Sequence, residues 1–160
     1  MASADATLSV FDRGLTLGEG VFETVKATDG RPFAVRRHLE RLRRSATALG
    51  LELGWTDQDL RIAITEAIQG APAAGARLLR VRITVTGGAA PLDPQRAASG
   101  ARRTSTVVAA GPYTLWNGSA RLCTAPWPWN ERSPLAGVKT TSHAEHVLAQ
   151  AHARALGCDE

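Results

Sequence analysis

The sequence predicts an α+β domain, with a mainly antiparallel sheet and helices packed on one side. Three observations predict it. Residues 77–86 alternate apolar and polar side chains, which is the period of a half-buried strand. Residues 35–49 carry apolar side chains at helical spacing instead, so a helix packs one stripe inward. Strands and helices also fail to alternate regularly along the chain, which argues against a parallel βαβ sheet.

Taken in order, Leu8–Phe11 reads as a short strand that ends at Asp12-Arg13-Gly14. Leu17-Gly18-Glu19-Gly20 reads as a glycine turn, and Val21–Val25 has strand composition. Asp29-Gly30 signals a hairpin, and Arg31-Pro32-Phe33 begins the return strand. Val35, Leu39, Leu42, Ala46 and Leu49 then form a helical stripe that Gly50 terminates. Thr56 or Asp57 caps a second helix that runs to about Gln69, followed by a loop over residues 70–75. In the strand at 77–86, Leu79, Val81, Ile83 and Val85 point one way, and Arg80, Arg82, Thr84 and Thr86 the other. Residues 87–103 are rich in glycine, proline and charge and are expected to be an exposed loop. Thr106–Ala110 and Ala120–Thr124 read as two further strands, and residues 126–134 as irregular chain with prolines flanking Trp127. A last helix carries Ala144, Val147, Leu148, Ala151 and Ala155 as its apolar stripe and stops at Gly157. There is no internal repeat.

Composition narrows the class. With 44% hydrophobic and 21% charged residues the chain of 160 is globular rather than disordered. No apolar run approaches the roughly 20 residues needed to span a bilayer, and the N-terminus has neither a basic nor an apolar signal region. Cys123 and Cys158 have neither metal-ligand nor framework spacing, which suits a reducing compartment. A soluble cytoplasmic protein is expected.

The cations are unevenly typed: of 19 Lys and Arg residues, only Lys26 and Lys139 are lysine. A GC-rich coding bias accounts for the excess of arginine. It also singles out each lysine, because a desolvated lysine loses its proton and becomes a nucleophile, whereas arginine stays charged. Lys26 lies where a strand meets a turn, and a solvated role suffices for it.

The arginines at 36, 37, 41, 43 and 44 read mostly as a solvated helix face. Nucleic acid is not an expected partner, since no aromatics interleave with them and only 5% of residues are aromatic. Gly18-Glu19-Gly20 lacks a third glycine and leads into a strand, so it is not a dinucleotide fingerprint. His143, His146 and His152 lack a fourth ligand and are expected to be solvated or capping, with no metal site. Taken alone, Lys139 at a loop–helix junction reads as a surface residue.

Five segments together are more specific. Ser9-Val10-Phe11-Asp12-Arg13-Gly14, Gly18-Glu19-Gly20-Val21-Phe22-Glu23-Thr24, His38-Leu39-Glu40-Arg41-Leu42, Arg80 to Gly88, and Asn130 to Ser142 follow one another in order. In that order and spacing the chain resembles the class IV, or fold type IV, pyridoxal-phosphate enzymes. These include branched-chain and D-amino-acid aminotransferases and 4-amino-4-deoxychorismate lyase. The resemblance covers nearly the whole chain.

The resemblance implies the N-terminal two-layer domain of that fold over residues 1–112, a linker over 113–118, and the truncated start of the cofactor-binding domain over 119–160. It implies pyridoxal 5′-phosphate as cofactor, held as a Schiff base by Lys139, which also acts as the catalytic base. Arg41 matches the arginine that binds the cofactor phosphate, and Phe22 a substrate-pocket position. Arg80 and Arg82 are both candidates for meeting the carboxylates of a small-molecule amino substrate. D-amino-acid aminotransferases place Tyr at the position of Phe22 and Arg at that of Gly87, so that activity is disfavoured. Branched-chain enzymes tend to have Phe-Glu-Gly where this chain has Phe22-Glu23-Thr24, and Tyr where it has Ala144. His143 stands where close relatives have Tyr.

The wording is nearest to aminodeoxychorismate lyase-like members, which release pyruvate and leave 4-aminobenzoate for folate biosynthesis, although lyases also often have Arg at the position of Gly87. An aminotransferase acting on branched-chain or other amino acids is the alternative, and a non-catalytic truncated module the rival of another class. The expected whole is a homodimer longer than this chain, which is expected to be inactive alone.

Overall fold

The computed structural model describes residues 5–71, 77–92, 103–115 and 118–160. Its elements are α1 (Arg13–Thr16), β1 (Gly20–Thr28), β2 (Arg31–Pro32), α2 (Val35–Ala48), α3 (Asp57–Gln69), β3 (Leu78–Thr86), β4 (Ser105–Pro112) and α4 (Ala144–Ala155). The four strands form one sheet in the order β2-β1-β3-β4, antiparallel throughout. This is the α+β layer that the residue pattern predicts.

Alternation along β1 and β3 decides which face is covered. Val21, Glu23, Val25 and Ala27 of β1 and Leu79, Val81, Ile83 and Val85 of β3 are all buried. Against them pack Val35, Leu39, Leu42 and Ala46 of α2 and Leu60, Ile64 and Ile68 of α3. Helix α2 lies over β1, and α3 over β3 and β4. Full burial of a side chain such as Leu39 or Ile83 is worth about 1.5–3 kcal/mol. Neither of these helices covers the opposite face of the sheet.

The local starts and stops have definite causes. Asp29 and Gly30 both take positive φ and turn the hairpin. Thr56 accepts from the Asp59 amide while Asp59 accepts from that of Thr56, a reciprocal capping box for α3. Helix α2 begins at Ala34 without a side-chain cap.

Several expectations are corrected. Leu8–Phe11 is not a strand; the chain there makes one bridge, Asp12 to Ala89, and α1 follows. The buried carboxylate of Asp12 explains this. It accepts from the Gly14 amide and from the hydroxyls of Thr86 and Ser105, at 2.8, 2.9 and 2.9 Å. Those bonds offer the backbone a local alternative to a ladder.

Ala120–Thr124 is likewise not a strand, though the Cys123 amide donates to the Glu160 carbonyl at 2.8 Å. In the expected loop at 87–103, Gly87 and Gly88 are buried rather than exposed, and residues 93–102 lie outside the described residues. Most of the loop expected over 70–75 and part of the expected linker also lie outside them. Helix α4 forms, but its stripe of Ala144, Val147, Leu148, Ala151 and Ala155 is exposed and only Ala153 is buried. No helix among the described residues is long and apolar enough to cross a membrane.

Candidate active site

Lys139 is held by its backbone. Thr140 bridges Val21 in antiparallel register. The Phe22 amide donates to the Lys139 carbonyl at 3.0 Å, and the Thr141 amide to the Gly20 carbonyl at 2.8 Å. The hydroxyls of Thr141 and Ser142 both donate to the Gly18 carbonyl, at 3.1 and 3.0 Å. On its other side the Lys139 amide donates to Ser45 Oγ of α2 at 3.1 Å. Residues 139–141 thus extend the sheet beside β1, where β2 does not reach.

This register decides which way the side chain points. Cross-strand partners share a face, so Lys139 stands beside Phe22 on the sheet face that α2 and α3 leave open. Lys139 Nζ lies 4.4 Å from the centre of the Phe22 ring. Arg82, next along β3, puts its guanidinium carbon 3.7 Å from the same centre. The His143 ring packs there as well, at 5.0 Å between centroids. Under these three groups Phe22 is only 5% exposed, although it faces away from α2 and α3.

Arg80 and Arg82 are therefore distinct. Arg80 lies two residues, roughly 7 Å, further along β3, where it stacks 4.4 Å from the Tyr113 ring. Arg82 sits over Phe22, and burial pushes its guanidinium below the ordinary value. Its hydrogen bond among the described residues is to the Thr84 hydroxyl at 3.2 Å, and no carboxylate there pairs with it.

A cleft of about 650 Å³ opens beside this cluster, lined by Arg41, Lys139, Ser142, His143, His146 and Trp129 among others. Arg41 and Ser45 are i and i+4 on α2 and so share a face. Sequence reasoning picks out Arg41 but passes over Ser45, Glu23 and His38. Glu23, fully buried on β1, accepts from Arg41 Nε, from Arg41 Nη2 at 2.7 Å, and shares a hydrogen bond with His38 Nδ1 at 2.7 Å. Desolvation works against its charge, yet the bonds from Arg41 and His38 outweigh it and hold the carboxyl below the usual range. The signal available in the sequence was a lone acid among the core positions of β1.

His143 and His152 are half-buried and pack against rings, a correction to the solvated or capping role, whereas His146 is exposed as expected. His143 occupies the cap position of α4 but makes no capping hydrogen bond. Its ring lies 4.5 Å from that of His146, which meets Trp129 at 4.8 Å, while His152 meets Trp127 at 5.6 Å. Burial first, then the nearby His146, Arg82 and Lys139, pushes the His143 imidazole towards its neutral form.

Gly87 has a steric reason. A Cβ there would stand 2.9 Å from the Glu19 carboxyl carbon, and that carboxylate is paired with Arg13. A larger side chain at Gly87 requires this pair to move.

The family model described as "Amino-transferase class IV" matches residues 20–160. The chain belongs to the class IV aminotransferase family. A Methanocaldococcus jannaschii protein provisionally assigned as a branched-chain-amino-acid aminotransferase is 30% identical over 98% of this chain and 54% of its own length. A branched-chain aminotransferase from the archaeon Thermoproteus uzoniensis, solved with norvaline, superposes with a TM-score of 0.82 at 27% identity, over 99% of this chain and 54% of that one. A Legionella pneumophila protein provisionally assigned as 4-amino-4-deoxychorismate lyase gives 0.82 at 25% identity, over 98% and 56%. A further branched-chain amino acid aminotransferase of this fold, with a TM-score of 0.85 at 26% identity, was solved with pyridoxamine 5′-phosphate. The chain thus spans about half the length of the relatives it matches.

Proposed function

We propose that this chain carries the catalytic lysine and the substrate-carboxylate site of a pyridoxal-phosphate enzyme, acting as a 4-amino-4-deoxychorismate lyase. The observation that carries the reading is the shared Phe22 ring, with Lys139 Nζ on it at 4.4 Å and the Arg82 guanidinium at 3.7 Å. A primary amine beside a guanidinium that no carboxylate among the described residues pairs with suits a substrate that brings both a reacting amino carbon and a carboxylate.

The cleft fits pyridoxal phosphate by its donor chemistry. It offers an amine for the cofactor carbonyl in Lys139 and a guanidinium for its phosphate in Arg41. When bound, the cofactor supplies an electron sink for the pair released at the substrate's α-carbon. Lys139 Nζ holds the cofactor and moves the proton. Arg82 binds the substrate carboxylate, while Arg80 stacks on Tyr113 two residues along the strand. The Phe22 ring gives the amine an apolar neighbour, 4.4 Å from Nζ.

The row of rings His143, His146 and Trp129 along the cleft suits a substrate with a flat ring, which supports the lyase. The M. jannaschii relative supports the second reading, an aminotransferase for branched-chain or other amino acids. We further assign residues 1–112 to one domain and 119–160 to a second, joined by 113–118, in a homodimeric protein of the cytoplasm serving folate biosynthesis. The decisive experiment incubates the full-length protein with pyridoxal phosphate, reduces with borohydride and maps the label by mass spectrometry. Label on Lys139 is expected, and its absence there overturns the reading. Pyruvate release from 4-amino-4-deoxychorismate supports the lyase, whereas amino transfer to 2-oxoglutarate without pyruvate release rejects it.

A further inference from the structure

We propose that Glu23 is a positioning residue that fixes the plane of the Arg41 guanidinium and so turns its second donor edge towards a phosphate dianion in the cleft. The proposal rests on the reading of Arg41 as the phosphate arginine. It adds a residue that contacts neither cofactor nor substrate.

The geometry follows from the donor count. A guanidinium carries five N–H groups arranged as forks. Glu23 takes one edge, through the hydrogens on Nε and one on Nη2. What remains is the pair on Nη1 and the other on Nη2. No hydrogen bond is made by Nη1 among the described residues, and the Arg41 side chain is 46% exposed and lines the cleft. Two parallel N–H groups are thus presented outward, the pattern that binds phosphate bidentately.

Glu23 is itself held from two directions. Its side chain is fully buried on the core face of β1 between Val21 and Val25, and His38 Nδ1 holds Oε2 from a second direction at 2.7 Å. Both partners come from α2, one turn apart, so strand and helix lock the carboxylate together. A purely structural reading is weak on energetic grounds. Burying a carboxylate on the core face costs desolvation that an apolar side chain of similar volume avoids. The same carboxylate holds Arg41 firmly protonated, through the hydrogen bond and then through charge. A lysine here would present a mobile point charge instead of an oriented fork.

The test compares pyridoxal 5′-phosphate with pyridoxal, which lacks the phosphate, in equilibrium titrations of full-length apoprotein followed by absorbance. The measured quantity is the ratio of the two affinities. Glu23→Gln keeps the shape and removes the charge. It is expected to lower the ratio about tenfold while leaving pyridoxal affinity within about twofold. His38→Gln loosens one contact only and is expected to lower the ratio about threefold; it carries the test if Glu23→Gln does not fold. Arg41→Lys is expected to remove most of the ratio, and adding Glu23→Gln to it to change little further, because both act through one group. Equal weakening of both ligands would mean that Glu23 serves packing alone and would overturn the proposal. So would an unchanged ratio in Glu23→Gln beside a lowered one in Arg41→Lys. An unchanged ratio in Arg41→Lys itself overturns the phosphate role of Arg41 and this inference with it, while leaving the lysine assignment to the borohydride experiment.

Discussion

The sheet–helix layer of residues 20–112 and the segment 118–160 bury their apolar side chains very differently. The first buries Val21, Val25, Leu39, Leu42, Leu60, Ile64, Val81, Ile83 and Val85 completely. The second buries only Ala153, and it leaves Leu122, Trp129, Val147, Leu148 and Leu156 exposed. Yet the amine of the site comes from the second region, while the arginines and Glu23 come from the first. The contrast teaches where precision originates. A packed layer presents the charged groups, and the segment bearing Lys139 borrows its geometry through hydrogen bonds to Gly18, Gly20, Phe22 and Ser45.

Predictions sharpen that contrast, beginning with the largest. Lys139→Ala in the full-length protein should lower turnover by about 10³-fold or more, since on the proposed reading nucleophile and base are lost together; a residual rate within tenfold of wild type would break the assignment. Leu39→Ala should cost about 2–5 kcal/mol in denaturant unfolding, whereas Leu148→Ala of α4 should stay within about 0.5 kcal/mol in this chain. Comparable losses at the two sites would erase the distinction between the regions. Arg82→Ala should raise KM about tenfold or more through the lost charge-assisted contact, while Arg80→Ala, four residues from the position on β3 that pairs with Phe22, should change it less than about twofold.

A pH dependence separates the regions at smaller amplitude. The folded-state carboxyl of Glu23 is held below its ordinary value of 4.5. Its contribution to stability is therefore complete above that value and is lost as the pH falls through the lower folded value. Unfolding midpoints measured from neutral pH down into the acid range should show less acid sensitivity in Glu23→Gln than in wild type. Identical slopes would count against a charged, paired Glu23.

Much of this architecture was legible in residue pattern. The period-two run at 77–86 and the stripe from Val35 to Ala46 appear as β3 and α2, because each has one face that only a core can accept. Thr56 with Asp59 marked the start of α3 by side-chain chemistry alone. Three elements were less legible. Ala120–Thr124 has strand composition but finds only a short backbone partner, and Leu8–Phe11 loses to the local bonds of Asp12. The α4 stripe has helical period, but period says nothing about what covers it. Within the site, Lys139, Arg41 and Phe22 came from an ordered resemblance, and no local rule would have joined the lysine to residues so distant in sequence.

By itself, then, the sequence determined the α+β class, the principal helices and strands, and Lys139 as one of only two lysines. These follow from periodicity, turn chemistry and composition, which act over a few residues. Only the tertiary structure decided that Arg82 rather than Arg80 shares the Phe22 ring with that lysine, that Glu23 grips Arg41, and that His143 packs instead of capping. Each of those depends on the register between segments distant in sequence. In a sheet, a shift of one residue would have turned Lys139 to the opposite face.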